Sequence, residues 1–112
     1  MRYLLISLLA VTLTSFTVGS GAKMRITVLD ENNAVVSGAN VLVYASHEDY
    51  ENEENLVASG ETNAKGFVQF KNLKEQKYYL LIKKGSLNNH QTNNETDVLH
   101  MKGKNRFEIM IN

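Results

Sequence analysis

Hydrophobic and polar residues alternate with period two along most of the chain beyond residue 22, and no segment there has a convincing period of 3.6. This alternation predicts short β-strands at 24–29, 35–46, 56–62, 77–83, 98–99 and 105–112, and a strand after the turn at 63–66 in which Val68 and Phe70 point inward and Leu73 caps the core. Polar segments rich in Asp, Asn and Gly separate them, among them an acidic loop at 47–55 and an Asn-rich loop at 85–96. The pattern predicts an all-β fold, a seven-stranded antiparallel β-sandwich of two sheets.

The turn Asn63-Ala64-Lys65-Gly66 is the sharpest local signal. Gly66 is free to adopt positive φ, which favours a tight hairpin between the strands on either side. Residues 46–62 carry six acids and no Lys or Arg, whereas 65–84 carry six lysines. If these strands pair, opposite charges face each other across the hairpin and help to set its register.

Residues 1–22 read as a secretion signal. Arg2 precedes an apolar run at 4–18, and small residues follow, with cleavage predicted after Ser20 or Ala22. The alternative is a retained membrane anchor, but the run has 15 residues, against the ~20 that a spanning helix needs. The mature domain is then 23–112, exported to the periplasm, cell surface or medium.

Composition narrows the function classes. Without residues 1–22 and their Arg2, 11 of the 12 basic residues remain against 12 acidic ones, a net charge of −1. Nucleic-acid binding needs a basic excess, so this balance argues against it. The chain has no cysteine, which excludes disulfides, thiol catalysis and a lipid anchor on an N-terminal cysteine.

A family resemblance appears in the order of several short motifs. A first strand ends in Asp30, Gly38-Ala39 precedes Val41 and Val43, Thr62 and Gly66 precede Phe70 and Leu73, and Tyr78 precedes Leu80. In these residues, roughly 24–85, the chain resembles the carboxypeptidase regulatory-like domain. The resemblance implies a transthyretin-like (prealbumin-like, Ig-like) β-sandwich.

A narrower resemblance rests on an acidic segment and a C-terminal motif. Ser46 to Tyr50 reads S-x-E-D-Y, and Lys104 and Asn105 stand just before the last strand. In these features the chain is similar to small exported proteins of Gram-negative bacteria, often described as lipoproteins, whose function is unassigned. The lipid-bearing cysteine of that group is missing here.

No residue is assigned to a catalytic, cofactor or metal site. His47, His90 and His100 are far apart in sequence and fall in predicted loops or at strand ends, where solvated histidines are common. A hydrolase with a loop-borne site is the competing class, but Gly-x-Ser-x-Gly is absent from the sequence. The resemblance also includes a purine-pathway hydrolase branch with a C-terminal Tyr-Arg-Gly-Ser, whereas this chain ends FEIMIN.

The acidic segment 48–54 raises the question of calcium, since its five carboxylates are the ligands that Ca²⁺ prefers. It lacks the glycine that would let the loop wrap an ion. A solvated acidic loop is the favoured interpretation, and a weak Ca²⁺ site remains the alternative.

Apolar residues that alternate away from the predicted core indicate an interaction surface. The expected set is Leu42, Tyr44, Phe67, Tyr79 and Leu81. The favoured interpretation is that loops or a longer N-terminal segment cover these residues, and a homo-oligomer through that face is the alternative. Exposed Tyr44, Tyr50 and Tyr79 would alternatively serve as stacking residues of a carbohydrate-binding module.

A self-made isopeptide bond, as in a related sandwich of surface fibres, is a further hypothesis. Lys23 and Asn112 would be joined, but the central strand Tyr-Tyr-Leu-Leu-Ile-Lys-Lys has no Glu to transfer the proton. The sequence thus predicts a non-enzymatic exported module with a binding or structural role in the bacterial cell envelope and an unidentified protein or glycan partner.

Overall fold

The computed structural model describes residues 21–112, so nearly all of the predicted signal segment lies outside the described residues. The described part contains β1 Ala22–Leu29, β2 Asn40–Tyr44, α1 His47–Asn52, β3 Ala58–Glu61, β4 Phe67–Leu73, β5 Tyr79–Lys84, β6 Leu87–Asn88 and β7 Arg106–Met110. Strands β4-β1-β7 form one sheet and β3-β2-β5-β6 form the other. The predicted two-sheet sandwich is confirmed. Within residues 21–112, no helix is long and apolar enough to cross a bilayer.

The core lies between the two sheets and follows the predicted alternation. In β1 every second residue from Ala22 to Val28 is buried. The largest fully buried apolar side chains come from both sheets and from one loop: Met24, Ile26, Val28, Val41, Val43, Leu80, Ile82, Leu99, Ile109 and Ile111. Apolar burial therefore holds the sheets together in a chain that has no cysteine.

One strand pair departs from the antiparallel prediction. β7 runs parallel to β1, in a register from Arg25 opposite Arg106 to Leu29 opposite Met110. The chain leaves the other sheet after β6 and returns through residues 89–105, and a connection this long allows parallel neighbours. The first and last strands thus lie side by side.

The turn at 63–66 has the predicted conformation but does not make the predicted hairpin. The Asn63 carboxamide oxygen accepts hydrogen bonds from the N–H groups of Lys65 (2.9 Å) and Phe67 (3.1 Å), and Gly66 has φ +82°. Yet β3 pairs with β2 while β4 pairs with β1. The turn carries the chain from one sheet to the other, so the expected charge pairing across a hairpin is wrong.

Three other segments differ from the prediction. The acidic loop contains helix α1, and the Asn-rich loop contains the two-residue strand β6. Residues 98–99 form no strand. Leu99 is nevertheless a core residue and is 1% exposed. Its backbone N–H donates to Gln76 O at 3.2 Å.

A buried asparagine extends the sheet beyond β6. The side chain of Asn89 accepts from Ile82 N (2.9 Å) and donates to Leu80 O (2.9 Å), so its amide replaces the backbone of a neighbouring strand. Asn89 is completely buried. No buried side-chain nitrogen or oxygen within residues 21–112 lacks a hydrogen-bond partner, as stable interiors require.

Candidate functional site

The outer face of the four-stranded sheet carries a second apolar cluster, covered by α1. Tyr44 and Leu81 are each 3% exposed and Tyr50 is 9% exposed, with Leu42 and Tyr79 packed against them. The predicted outward direction of these β2 and β5 side chains is confirmed. The interpretation that another segment of the chain covers them is confirmed too, and that segment is α1. They do not form an open patch for a second subunit.

The residues at the two ends of helix α1 fix where it begins and ends. The Ser46 hydroxyl accepts from Asp49 N at 3.1 Å, and the acids Glu48 and Asp49 lie in the first turn, where the helix dipole favours them. Glu53 ends the helix with φ +51°. The spacing Ser46-x-x-Asp49 is the sequence signal that would have predicted this helix.

The aromatic rings beneath and beside α1 pack edge to face or tilted. Ring centroids are 6.3 Å apart for Tyr44 and Tyr50, 6.5 Å for Tyr50 and Tyr79, and 5.6 Å for His47 and Tyr79. Burial, with a smaller contribution from the Glu53 carboxylate, raises the pKa of the Tyr44 hydroxyl above its usual value. The predicted exposure of Tyr44 and Tyr50 as sugar-stacking residues is therefore wrong.

A shallow groove of about 310 Å³ runs between α1 and the Asn-rich loop, lined by Tyr50, Glu51, Glu53, Leu81, His90 and Asn94. Asn94 donates to the Tyr50 hydroxyl at 3.3 Å, which ties the loop to the helix. Of the three histidines of the chain, His90 is the one that lines this groove.

The carboxylates of the acidic segment are arranged around α1 and the turn after it. We call Glu48, Asp49, Glu51, Glu53 and Glu54 the acidic cap. Asp49 accepts a bond from the Asn55 side chain at 3.0 Å, and Glu51 lies 3.8 Å from His47. Among residues 21–112, no three His, Asp or Glu side chains are placed to hold a metal ion.

The outer face of the three-stranded sheet has the opposite charge. Its cationic side chains, which we call the basic face, are Lys23, Arg25, Lys71, Lys104 and Arg106. The strand register places Arg25 between Gln69 and Arg106. A cavity of about 120 Å³ is lined by four of these cations, Lys23, Arg25, Lys104 and Arg106, together with Gln69 and Asn105.

Arg25 is held in a fixed position on this face. Its guanidinium carbon lies 4.1 Å from the centre of the Phe67 ring, and its Nη2 donates to Gln69 Oε1 at 3.1 Å. Phe67, expected with the apolar residues of β2 and β5, lies on the other sheet instead, because the turn at 63–66 crosses between the sheets. The ring supports the cation rather than forming an apolar patch.

Asn105 fixes the loop that carries Lys104. Its amide donates to Lys23 O and to His100 O, both at 2.8 Å, and its side-chain oxygen accepts from His100 N at 2.9 Å. The backbone adds a bond from Arg25 N to Asn105 O at 2.8 Å. The motif before the last strand is thus a clasp between the ends of β1 and β7.

The cations of the basic face have no anionic partner within the described part of the chain. There, the pairs within 4.0 Å are His47 with Glu51 and Lys77 with Glu95, and both lie elsewhere. Glu108 is the acid on this face, level with Thr27. With five cations and this one acid, the face carries a net positive charge.

The isopeptide hypothesis is wrong for Lys23 and Asn112. Both side chains are exposed, and they lie at opposite ends of the β1–β7 pair. Six strand residues separate Lys23 from the Leu29–Met110 end, roughly 20 Å at about 3.3 Å per residue. The core-facing positions of β1 hold Ala, Met, Ile and Val.

No protein-family model matches the sequence, and no curated protein matches it. Among solved structures, the group B streptococcus pilus 2b backbone protein matches with a TM-score of 0.58 and 19% identity, over 82% of this chain and 41% of that one. BcpA, the major pilin subunit of Bacillus cereus, matches with a TM-score of 0.59 and 14% identity, over 83% of this chain and 30% of BcpA. The Bacillus anthracis TIE protein matches with a TM-score of 0.56 and 19% identity, over 82% of this chain and 16% of that one.

The chain therefore spans less than half the length of each of these proteins. At these identities the likeness shows the fold, and it confirms the β-sandwich that the family resemblance implied. Membership of the carboxypeptidase regulatory-like family remains a prediction, since no family model matches.

Proposed function

We propose that this chain is an exported, non-enzymatic β-sandwich module with a structural role in the bacterial cell envelope, where it contacts other envelope components through its outer faces. The observation that carries the proposal is the contrast between the two outer faces. One is closed by helix α1, which carries three acids and is followed by two more at Glu53 and Glu54. The other presents five cations without carboxylate partners in the described part. Such surfaces are suited to contact with other macromolecules.

The similarity to pilin backbone subunits supports a structural role. The pilus 2b backbone protein and BcpA are subunits of surface fibres by their names, and each contains a domain of this fold. Fold alone does not fix function, so the role of this chain is a proposal built on its own surfaces as well.

The positions of the histidines favour a non-enzymatic module over a hydrolase. His47 lies on α1, His90 in the loop after β6, and His100 beside the Asn105 clasp. None of the hydrogen bonds of the described residues joins a histidine side chain to a serine or threonine hydroxyl. The carbohydrate alternative loses support because two of its three stacking tyrosines, Tyr44 and Tyr50, are buried.

Export is tested with the full chain carrying a C-terminal epitope tag in a Gram-negative host. We expect the tagged protein in the envelope or medium, shortened by the mass of residues 1–20. Replacing Leu8 and Leu9 with Arg should keep it in the cytoplasm at full mass, since charges in the apolar run prevent signal recognition. Replacing Lys65 and Lys83 with Glu, outside that run, is the control and should leave export unchanged. Full-length wild-type protein confined to the cytoplasm would overturn the proposal.

A further inference from the structure

We propose that the partner of the basic face is a second copy of this chain, which docks its acidic cap there. The acidic cap and the basic face lie on the outer sides of opposite sheets. Each carries five charges of one sign, while the whole chain has a formal net charge of 0. The inference deepens the proposed function by naming a partner, and it rests on that function for the place where copies meet.

The basic face is prepared for an anionic partner. Phe67 and Gln69 hold the Arg25 guanidinium in place. The Asn105 clasp fixes the loop from which Lys104 extends. Because these groups are already ordered, a partner loses little conformational entropy when it binds them. The cavity of about 120 Å³ between the cations has room for a carboxylate side chain.

The acidic cap is the matching surface on the same chain. Residues 46–62 contain no Lys or Arg, and Glu48, Glu51, Glu53 and Glu54 are exposed. Tyr50 anchors α1 to the sheet, so the carboxylates project from a fixed support. Opposite potentials on two rigid faces steer association and set its orientation.

The geometry makes the contact heterologous. Each copy uses its acidic cap on one neighbour and its basic face on another, so the contact does not close at a dimer and continues from copy to copy as a chain or a ring. A face of three strands about 4.8 Å apart and six residues long covers roughly 300 Å². An interface of this size belongs with weak contacts, well below about 1,200 Å² of total buried area. The association should be weak and sensitive to salt.

The test uses sedimentation of protein purified from an exporting host, at concentrations up to about 1 mM, where weak contacts associate. In about 20 mM salt we expect the average mass to rise with concentration without levelling at a dimer. In about 500 mM salt, where the Debye length is near 4 Å, it should fall to that of a monomer.

Two charge-reversed variants make the test specific. Lys104→Glu with Arg106→Glu reverses part of the basic face, and Glu51→Lys with Glu54→Lys reverses part of the acidic cap. Each variant alone should remain monomeric, and an equimolar mixture should associate again. Lys65→Glu with Lys83→Glu changes the net charge equally, but lies outside both surfaces and should associate like the wild type. Thermal melting verifies that every variant is folded.

Several results would overturn the inference. These are a wild-type monomer at every concentration in low salt, a mixture of variants that stays monomeric, or the same loss of association in the control pair. Binding of polyphosphate to a protein that remains monomeric would identify a polyanion as the occupant instead. Export is measured separately in cells, so failure here leaves the proposed function standing.

Discussion

Gly66 combines two constraints, on its backbone conformation and on the space around it. Its φ is +82°, and a Cβ built there would lie 2.6 Å from the Val35 Cβ. Gly85 also has positive φ, +60°, but a Cβ at that position would have no neighbouring atom within 4 Å. The pair therefore separates the cost of backbone conformation from the cost of crowding.

We expect Gly66→Ala to lower the free energy of unfolding by about 2–4 kcal/mol, since backbone strain and overpacking add. Gly85→Ala should lose about 1 kcal/mol, the cost of a left-handed residue alone. Urea denaturation of both variants measures the difference. Equal losses would mean that the contact with Val35 contributes nothing.

The Tyr44 hydroxyl makes the protein less stable at alkaline pH. Its pKa is raised in the folded state, whereas in the unfolded chain it ionises near its ordinary value of about 10. The stabilisation is complete below that pH and is lost as pH rises through the folded-state pKa. The free energy of unfolding of the wild type should thus fall faster than that of Tyr44→Phe as pH rises above about 10. Parallel pH profiles would contradict this.

At the scale of elements, α1 acts as a lid on an apolar sheet face, held mainly by Tyr50. Tyr50→Ala should cost about 2–3 kcal/mol, less than the 3–5 kcal/mol typical of a fully enclosed aromatic ring. It should also weaken the tyrosine signal in near-ultraviolet circular dichroism and leave the far-ultraviolet spectrum intact.

The matched control is His47→Ala, whose side chain is 62% exposed. Its effect on unfolding should stay within about 0.5 kcal/mol. If the free energy of unfolding and the tyrosine signal respond equally to both substitutions, α1 does not depend on Tyr50.

The strands were predictable from sequence because burial on one face imposes period two. That period places β1, β2, β4, β5 and β7 correctly. It cannot reveal α1, since six residues are too few to establish a period of 3.6. It also misses β6, whose two residues show no alternation.

Strand pairing was less predictable than strand position. The turn residues 63–66 determine the local reversal, and the same conformation serves a hairpin or a crossing between sheets. Gly60 lies close to the opposite sheet near this crossing, since a Cβ there would be 2.8 Å from the Val68 side chain. The sequence did not predict the basic face either, because the parallel pairing that brings Arg25 beside Arg106 joins residues far apart in sequence.

At the scale of the whole molecule, the start of the domain affects its stability. Ala22 is fully buried and pairs with Leu73, and a Cβ at Gly21 would lie 2.4 Å from the Asn72 Cα. A protein that began at Lys23 would lack this core residue, whereas one that began at Gly21 would keep it.

We expect residues 23–112 to be about 1–2 kcal/mol less stable than 21–112, from one lost methyl burial and the loss of ladder hydrogen bonds. Urea denaturation of both forms measures this, and sequencing of the exported protein identifies its first residue. Equal stability of the two forms would show that Ala22 contributes nothing to the core.

The side-by-side course of β1 and β7 has a mechanical consequence. Because these strands point the same way, a force that pulls the beginning of β1 away from the end of β7 acts along the ladder between them. The five residue pairs from Arg25–Arg106 to Leu29–Met110 are then loaded together in shear, whereas a hairpin pulled open at its ends yields one bond at a time. A domain tethered at both termini in the envelope would resist extension through the hydrogen bonds of this strand pair.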